Sequence, residues 1–177
     1  MLYFITGSEK KFTEVAAMLP VPIERLSIDL PEIQDIDAHV VIRAKLDAAR
    51  AHHTGSFIVE DTSLYLDALH GLPGPLIKWF EKAIGNTGLA ELAQRFGNAK
   101  AKAKTIIGHA KEDGTVSFYE GEVAGSIVSP RGENGFGWDA VFTPESKEKT
   151  LAEMSSFEKN EISSRRIAVE KLALALT

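Results

Sequence analysis

Ser56 to Phe80 reads SFIVEDTSLYLDALHGLPGPLIKWF. Phe57-Ile58-Val59 is a β-branched and aromatic run that predicts a buried strand, with Glu60-Asp61-Thr62 as its abrupt end. Two adjacent carboxylates at the exit of an apolar strand repel each other and require something positive beside them, most simply a hard divalent cation. A turn capped by Asp61 or Thr62 is the plainer alternative. Further on, Gly71-Leu72-Pro73-Gly74-Pro75 forces a bend. Pro75 suits a first helical position, so a helix bearing Lys78, Trp79 and Phe80 leaves at a defined angle. Acids, rigid bend and cation thus follow in order, although Trp79 and Phe80 fit a core equally well.

Composition narrows the chemistry around that stretch. The 177 residues, 44% of them hydrophobic, suit one domain spanning 1–177 with a sizeable core. A net charge of -5 argues against nucleic acid as a partner but leaves room for a local basic pocket holding a phosphorylated small molecule. With no cysteine, a disulfide, a thiolate metal site and a cysteine nucleophile are all excluded, and the five histidines show no H-x-x-x-H spacing. The metal to expect is therefore magnesium, with manganese as a substitute. No stretch approaches the ~20 apolar residues of a membrane helix. The expectation is a cytoplasmic protein without a membrane partner.

The chain opens with a strand at Leu2-Tyr3-Phe4-Ile5, then Thr6-Gly7-Ser8-Glu9-Lys10-Lys11, then an amphipathic helix carrying Phe12, Val15, Ala16 and Leu19. A strand–Gly turn–helix unit offers backbone N–H groups to an anion, and Lys10 and Lys11 add charge. Walker A spacing is absent, and helix capping by Ser8 accounts for the same residues. Pro20 and Pro22 end the helix, and Ile23 to Ile28 predict a second strand running into Asp29-Leu30-Pro31-Glu32. Glu32 is a third candidate acid or an exposed loop carboxylate. Ala38 to Ala51 has helical spacing, with Lys45 beside the apolar stripe. The order β-α-β-α-β favours an α/β fold.

Leu64-Tyr65-Leu66 predicts a further short strand, and helices are expected over 75–83 and 88–96. Ala101 to Ala110 and Val116 to Val128 predict a long antiparallel ribbon joined through Glu112-Asp113-Gly114-Thr115, with Gly121 and Gly125 as bulges or bends. Ser129 to Asp139, SPRGENGFGWD, then abandons any period. Such a loop serves a ligand through close backbone approach and an aromatic face, or it folds on its own aromatics. Ser163 caps a last helix whose stripe of Val169, Leu172 and Leu176 leads back to Arg165. Arg165 therefore faces inward and needs an acceptor, either an internal carboxylate or a ligand edge.

These stretches together resemble the inosine triphosphate pyrophosphatase family. The resemblance rests on T-G-x-x-K-K at Thr6 to Lys11, Glu32, D-T-x-L at Asp61 to Leu64, and G-L-P-G-P with Lys78-Trp79-Phe80. It continues through S-P-R-G with F-G-W-D at Ser129 to Asp139, T-x-A-E-M at Thr150 to Met154, and E-K-N-x-x-S at Glu158 to Ser163. It implies a homodimer and a long curved mixed β-sheet flanked by helices, with two lobes and an active cleft between them. It further implies hydrolysis of ITP, dITP and XTP to the monophosphate and pyrophosphate. By the same resemblance Thr6, Gly7, Ser8, Glu9, Lys10 and Lys11 hold the triphosphate, with Lys45, Thr62 and Lys78 as further contacts. Glu32 and Asp61 serve magnesium, Glu60 is an additional metal candidate, and Asp61 accepts the proton of the attacking water. Phe136, Gly137, Trp138, Asp139, Lys159, Ser164 and Arg165 form the base pocket. The family usually has His-Arg where this chain has Ser164-Arg165, which bears on discrimination between bases more than on catalysis.

Overall fold

The structure is a computed structural model, and the described residues are 1–30 and 33–177. Strand β3 (Ser56–Leu66) is its axis. It runs 11 residues, straight through Glu60-Asp61-Thr62 and on through Leu64-Tyr65-Leu66, so the acids sit mid-strand and the expected stop there is corrected. Apolar residues continue in alternation past the acids, and pairing with β5 (Lys100–Ala110) is unbroken from Phe57↔Ala110 to Leu66↔Ala101. Strand alternation then sends neighbouring side chains to opposite faces.

On one face Phe57, Val59 and Ile106 pack under α2 (Ala38–His52) through Ile42 and Leu46. On the other, Ile58 and Ile107 pack under α1 (Glu9–Met18) through Val15 and under α5 (Ser164–Leu176) through Val169 and Leu172. Glu60 lies opposite Ile107 and Asp61 opposite Ile106. The two carboxylates therefore address different faces of the sheet.

Among the described residues the sheet has seven strands, in the order β2 (Ile23–Leu26), β1 (Leu2–Ile5), β3, β5, β6 (Val116–Ile127) and β7 (Phe142–Pro144), with β4 (Pro73–Gly74) paired to β3. β1 lies parallel to both β2 and β3, while β3–β5, β5–β6 and β6–β7 are antiparallel. The sheet is mixed, as expected. A second lobe covers its far end, where Leu64, Leu66 and Ala103 meet Leu89 of α3 (Ile77–Arg95), Trp138 and Phe142. Helix α3 joins the two expected helices across a break at Gly85, whose φ of 62° takes the chain out of helical geometry. A short helix, α4 (Ser156–Ile162), precedes α5 and was not foreseen. No described helix is long and apolar enough to cross a membrane.

The ribbon carries one further correction. Its register is one-to-one from Lys100↔Ser126 to Ala110↔Val116, so neither Gly121 nor Gly125 is a bulge. Both are close-approach sites instead. A Cβ on Gly121 would lie 2.0 Å from the Ser164 carbonyl oxygen and 2.8 Å from the Ala168 nitrogen, so α5 rests directly on the strand there. Gly121→Ala is expected to lift α5 from the sheet and cost about 2–3 kcal/mol, lowering the melting temperature by roughly 5–10 °C. Thermal unfolding checks this, and a variant melting within about 1 °C of the parent would show that α5 has room to spare.

Candidate active site

The ladder from β1 to β3 ends at Phe4↔Ile58, and β4 does not rejoin β3 until Leu64. Among the described residues no strand pairs with positions 59–63 on that edge, which leaves an opening between the lobes. A cleft of about 280 Å³ reaches round it, lined by Thr62 and Thr105 from one face and by Lys45 and Asp61 from the other. A second hollow of about 510 Å³ adjoins it at Lys11, Lys45 and Glu60 and extends to Thr6, Gly7 and Ser8.

The floor is built around Arg165. Its guanidinium forms a bidentate pair with Glu60, Nε to Oε2 at 2.7 Å and Nη2 to Oε1 at 2.9 Å, and its Nη1 donates to Glu14. Lys11 Nζ adds a contact to Glu60 Oε1 at 3.1 Å. Of the acceptors foreseen for Arg165, the internal carboxylate is the one present. Burial alone would raise the Glu60 pKa, but Arg165 and Lys11, with the hydrogen bonds from Arg165 and Thr62, hold it well below the ordinary carboxylate range. Burial likewise works against the charge on Arg165, and Glu60 and Glu14 more than restore it. The Glu60 side chain is 1% exposed, and both of its oxygens are engaged by protein donors.

Asp61 differs on every count. Ser63 Oγ donates to its Oδ2 at 2.8 Å, while Lys45 Nζ stands 3.9 Å from its Oδ1. Protein cations therefore stand beside both acids, Arg165 and Lys11 on one face and Lys45 on the other. Glu32 lies outside the described residues. Among those described, no three His, Cys, Asp or Glu side chains come together as a metal cluster.

The basic turn divides its labour. Ser8 caps α1 by accepting from Lys11 N at 3.3 Å, and Thr6 Oγ1 accepts from Ser8 N at 3.1 Å. Glu9 is exposed in the first turn. Lys11 turns to the hollow, whereas Lys10 reaches across to the Gly135 carbonyl at 3.4 Å and lies 5.9 Å from the centre of the Phe136 ring. Lys78 is an exposed residue of the cleft wall beside Trp79, whose Nε1 donates to Gln34.

The aperiodic loop both serves the cleft and folds on itself. Trp138 goes into the core, edge-on to Phe142 at 5.6 Å. Phe136 stays at the cleft, where Lys159 Nζ at 4.4 Å and the Arg165 guanidinium carbon at 5.7 Å flank its ring. Asp139 Oδ2 accepts from Phe136 N at 2.8 Å and from Lys159 Nζ at 2.7 Å, fixing loop and lysine together. At Gly135, with φ of 80°, a Cβ would sit 2.2 Å from that oxygen. Gly137, also at positive φ, is exposed beside Glu81.

Three residues of the site went unread in the sequence. Glu14 sits one turn beyond Lys10 and passes for an ordinary surface acid of α1. Thr105 is a lone hydroxyl in an alanine- and isoleucine-rich strand, a signal that was there to find. Glu81 lines the cleft with no hydrogen bond or ion pair among the described residues, and burial, then Asp139, raises its pKa.

A family model described as the Ham1 family matches residues 2–175. A Trypanosoma cruzi protein named inosine triphosphate pyrophosphatase 1 is 42% identical over 172 residues, covering 95% of this chain and 88% of its own. The Schizosaccharomyces pombe inosine triphosphate pyrophosphatase is 38% identical over 174 residues, 97% of this chain and 92% of that one. The solved structure of a HAM1 protein from Coxiella burnetii superposes with a TM-score of 0.85 at 25% identity, covering 99% of this chain and 98% of that one.

The buried pair makes a stability prediction. Glu60→Gln leaves Arg165 short of one of its two carboxylates and is expected to cost about 3 kcal/mol, or roughly 6–12 °C in melting temperature. Because the folded pKa of Glu60 lies below its unfolded value, its contribution is complete above about pH 4.3 and is lost as the pH falls below that. Urea unfolding at neutral pH and at acid pH should show the gap between parent and variant narrowing in acid. A constant gap would remove Glu60 as the titrating group.

Proposed function

The chain belongs to the Ham1 family, and from that premise we propose that it hydrolyses ITP, dITP and XTP to the nucleoside monophosphate and pyrophosphate. One observation of the cleft carries the reading: its two ends differ in chemistry. At one end an aromatic ring, Phe136, is flanked by Lys159 and Arg165, suited to a purine with a 6-oxygen. At the other lie Lys11, Lys45 and the capped N-terminus of α1, suited to a phosphate chain.

Within this reading the roles follow from position. Thr6 to Ser8 and the α1 amides receive the phosphate tail, with Lys11, Lys45 and Lys78 supplying charge and Thr62 a hydroxyl. Asp61, with one oxygen not donated to within 3.5 Å among the described residues, orients the attacking water and takes its proton. Lys159 addresses the 6-oxygen, Phe136 and Gly137 shape the pocket, and Trp138 and Asp139 hold the loop in place.

A hard divalent cation, magnesium or manganese in its place, fits the donors on hand. Asp61 is an oxygen ligand with spare capacity beside a phosphate-binding hollow, and such ions take one or two carboxylates plus substrate phosphates. Asp61 and Glu32 would hold it, and when bound it neutralises charge developing on the leaving pyrophosphate. The same proposal treats 1–177 as one catalytic domain, working in the cytoplasm as a homodimer on nucleotides rather than on nucleic acid.

The test is to incubate the protein and magnesium with ITP, XTP, dITP, GTP and ATP and identify the products. Monophosphate plus pyrophosphate from the 6-keto substrates is expected, and diphosphate plus phosphate would overturn the reaction assigned. Asp61→Asn should lose at least ~100-fold in turnover while still binding nucleotide, as expected when a positioned base is removed. Turnover within a few-fold of the parent would take Asp61 out of the chemistry.

A further inference from the structure

Three hydroxyls and a carboxylate stand in line across the cleft floor. Ser164 Oγ is 2.8 Å from Thr105 Oγ1, Thr105 Oγ1 is 3.1 Å from Thr62 Oγ1, and Thr62 Oγ1 donates to Glu60 Oε1 at 2.9 Å. Thr105 is fully buried, so its hydroxyl has no bulk water to turn to, and Ser164 keeps 6% exposure where it lines the cleft.

The far end fixes the direction of the line. Glu60, clamped by Arg165 and Lys11, can only accept, so the one proton of Thr62 goes to it. Arg165 Nη2, which can only donate, also points at Thr62 Oγ1 from 3.4 Å. Thr62 is left with lone pairs alone for Thr105. Thr105 must then donate to Thr62, and it offers lone pairs alone to Ser164. Ser164 must donate to Thr105, and it retains no proton for the cleft it lines.

We propose that this relay makes Ser164 an obligate hydrogen-bond acceptor toward the purine, and that Thr105, acting through it, is a positioning residue for base specificity. The proposal rests on the cleft being the nucleotide site. A 6-keto purine carries a proton on N1, whereas adenine carries a bare lone pair there. With the 6-oxygen at Lys159, the neighbouring N1 falls to the residues beginning α5. An acceptor at that point pairs with N1–H and opposes the adenine N1, so ATP is refused by polarity rather than by size. Guanine shares N1–H and is not refused by this device.

The experiment compares kcat/KM for ITP, ATP and 1-deaza-ATP, in which C–H replaces N1, in the parent, Thr105→Val and Thr105→Ser. Valine keeps the shape of threonine and releases the Ser164 proton toward the cleft, so the ITP-to-ATP ratio should fall by about tenfold, carried by a lower KM for ATP. Thr105→Ser should hold the ratio within about twofold of the parent. In the parent, 1-deaza-ATP should be a better substrate than ATP by about fivefold, because the opposed lone pair is gone. An unchanged ITP-to-ATP ratio in Thr105→Val, as when both substrates suffer equally, overturns the proposal. So does 1-deaza-ATP serving no better than ATP, a comparison that needs no variant to fold. A parent enzyme that releases no pyrophosphate from ITP overturns the functional reading itself, whatever the ratios.

Discussion

Everything around the cleft depends on one buried ion pair. Placing an arginine and a glutamate away from water costs several kcal/mol for each charge, and only near-ideal geometry offsets it. The fork of Arg165 meets both oxygens of Glu60, and the remaining capacity of the pair is taken up by Glu14, Lys11 and Thr62. These five residues come from three separate elements: Glu60 and Thr62 from β3, Lys11 and Glu14 from α1, and Arg165 from α5. A pair this demanding tolerates little displacement of any of them. It also fixes one end of the cleft, since Arg165 stands over the Phe136 ring.

The second organising fact is where β1 stops. Had it run beside β3 past Ile58, the edge at 59–63 would carry a continuous ladder and the two faces of the sheet would be sealed from each other. Because it stops, groups that alternate to opposite faces of β3 open onto one cleft. Glu60 lies on the α1 and α5 side, locked to Arg165, while Asp61 lies on the α2 side beside Lys45. Two neighbours in sequence thus have unrelated electrostatic lives, one sealed by cations and the other open to the cleft.

Much of this was legible, and the failures have identifiable causes. The Asp-Gly hairpin, the Ser163 cap and the inward Arg165 followed from turn chemistry and helical spacing, and they stand. The strand was cut short at Glu60 because charged residues disfavour strands, a propensity that tertiary pairing overrides. Extending it by alternation would have placed the two acids on different faces. What no local pattern could supply is the partner itself, because Arg165 is 105 positions from Glu60 and 151 from Glu14. Gly121 was misread for a related reason: a glycine in a strand signals either a bulge or a close neighbour, and the neighbour, α5, comes from elsewhere in the chain.

Those separations also say something about time. Contacts between residues far apart along a chain must wait for large loops to close, and they set the pace of folding in sheet proteins. The hairpin of β5 and β6 and the first turns of the helices can form locally and early. The Arg165 pair cannot, because α5 must settle on a sheet whose strands are already aligned. The residues around the cleft are therefore also the ones whose contacts span the longest stretches of chain, and the cleft is complete only when α5 is in place.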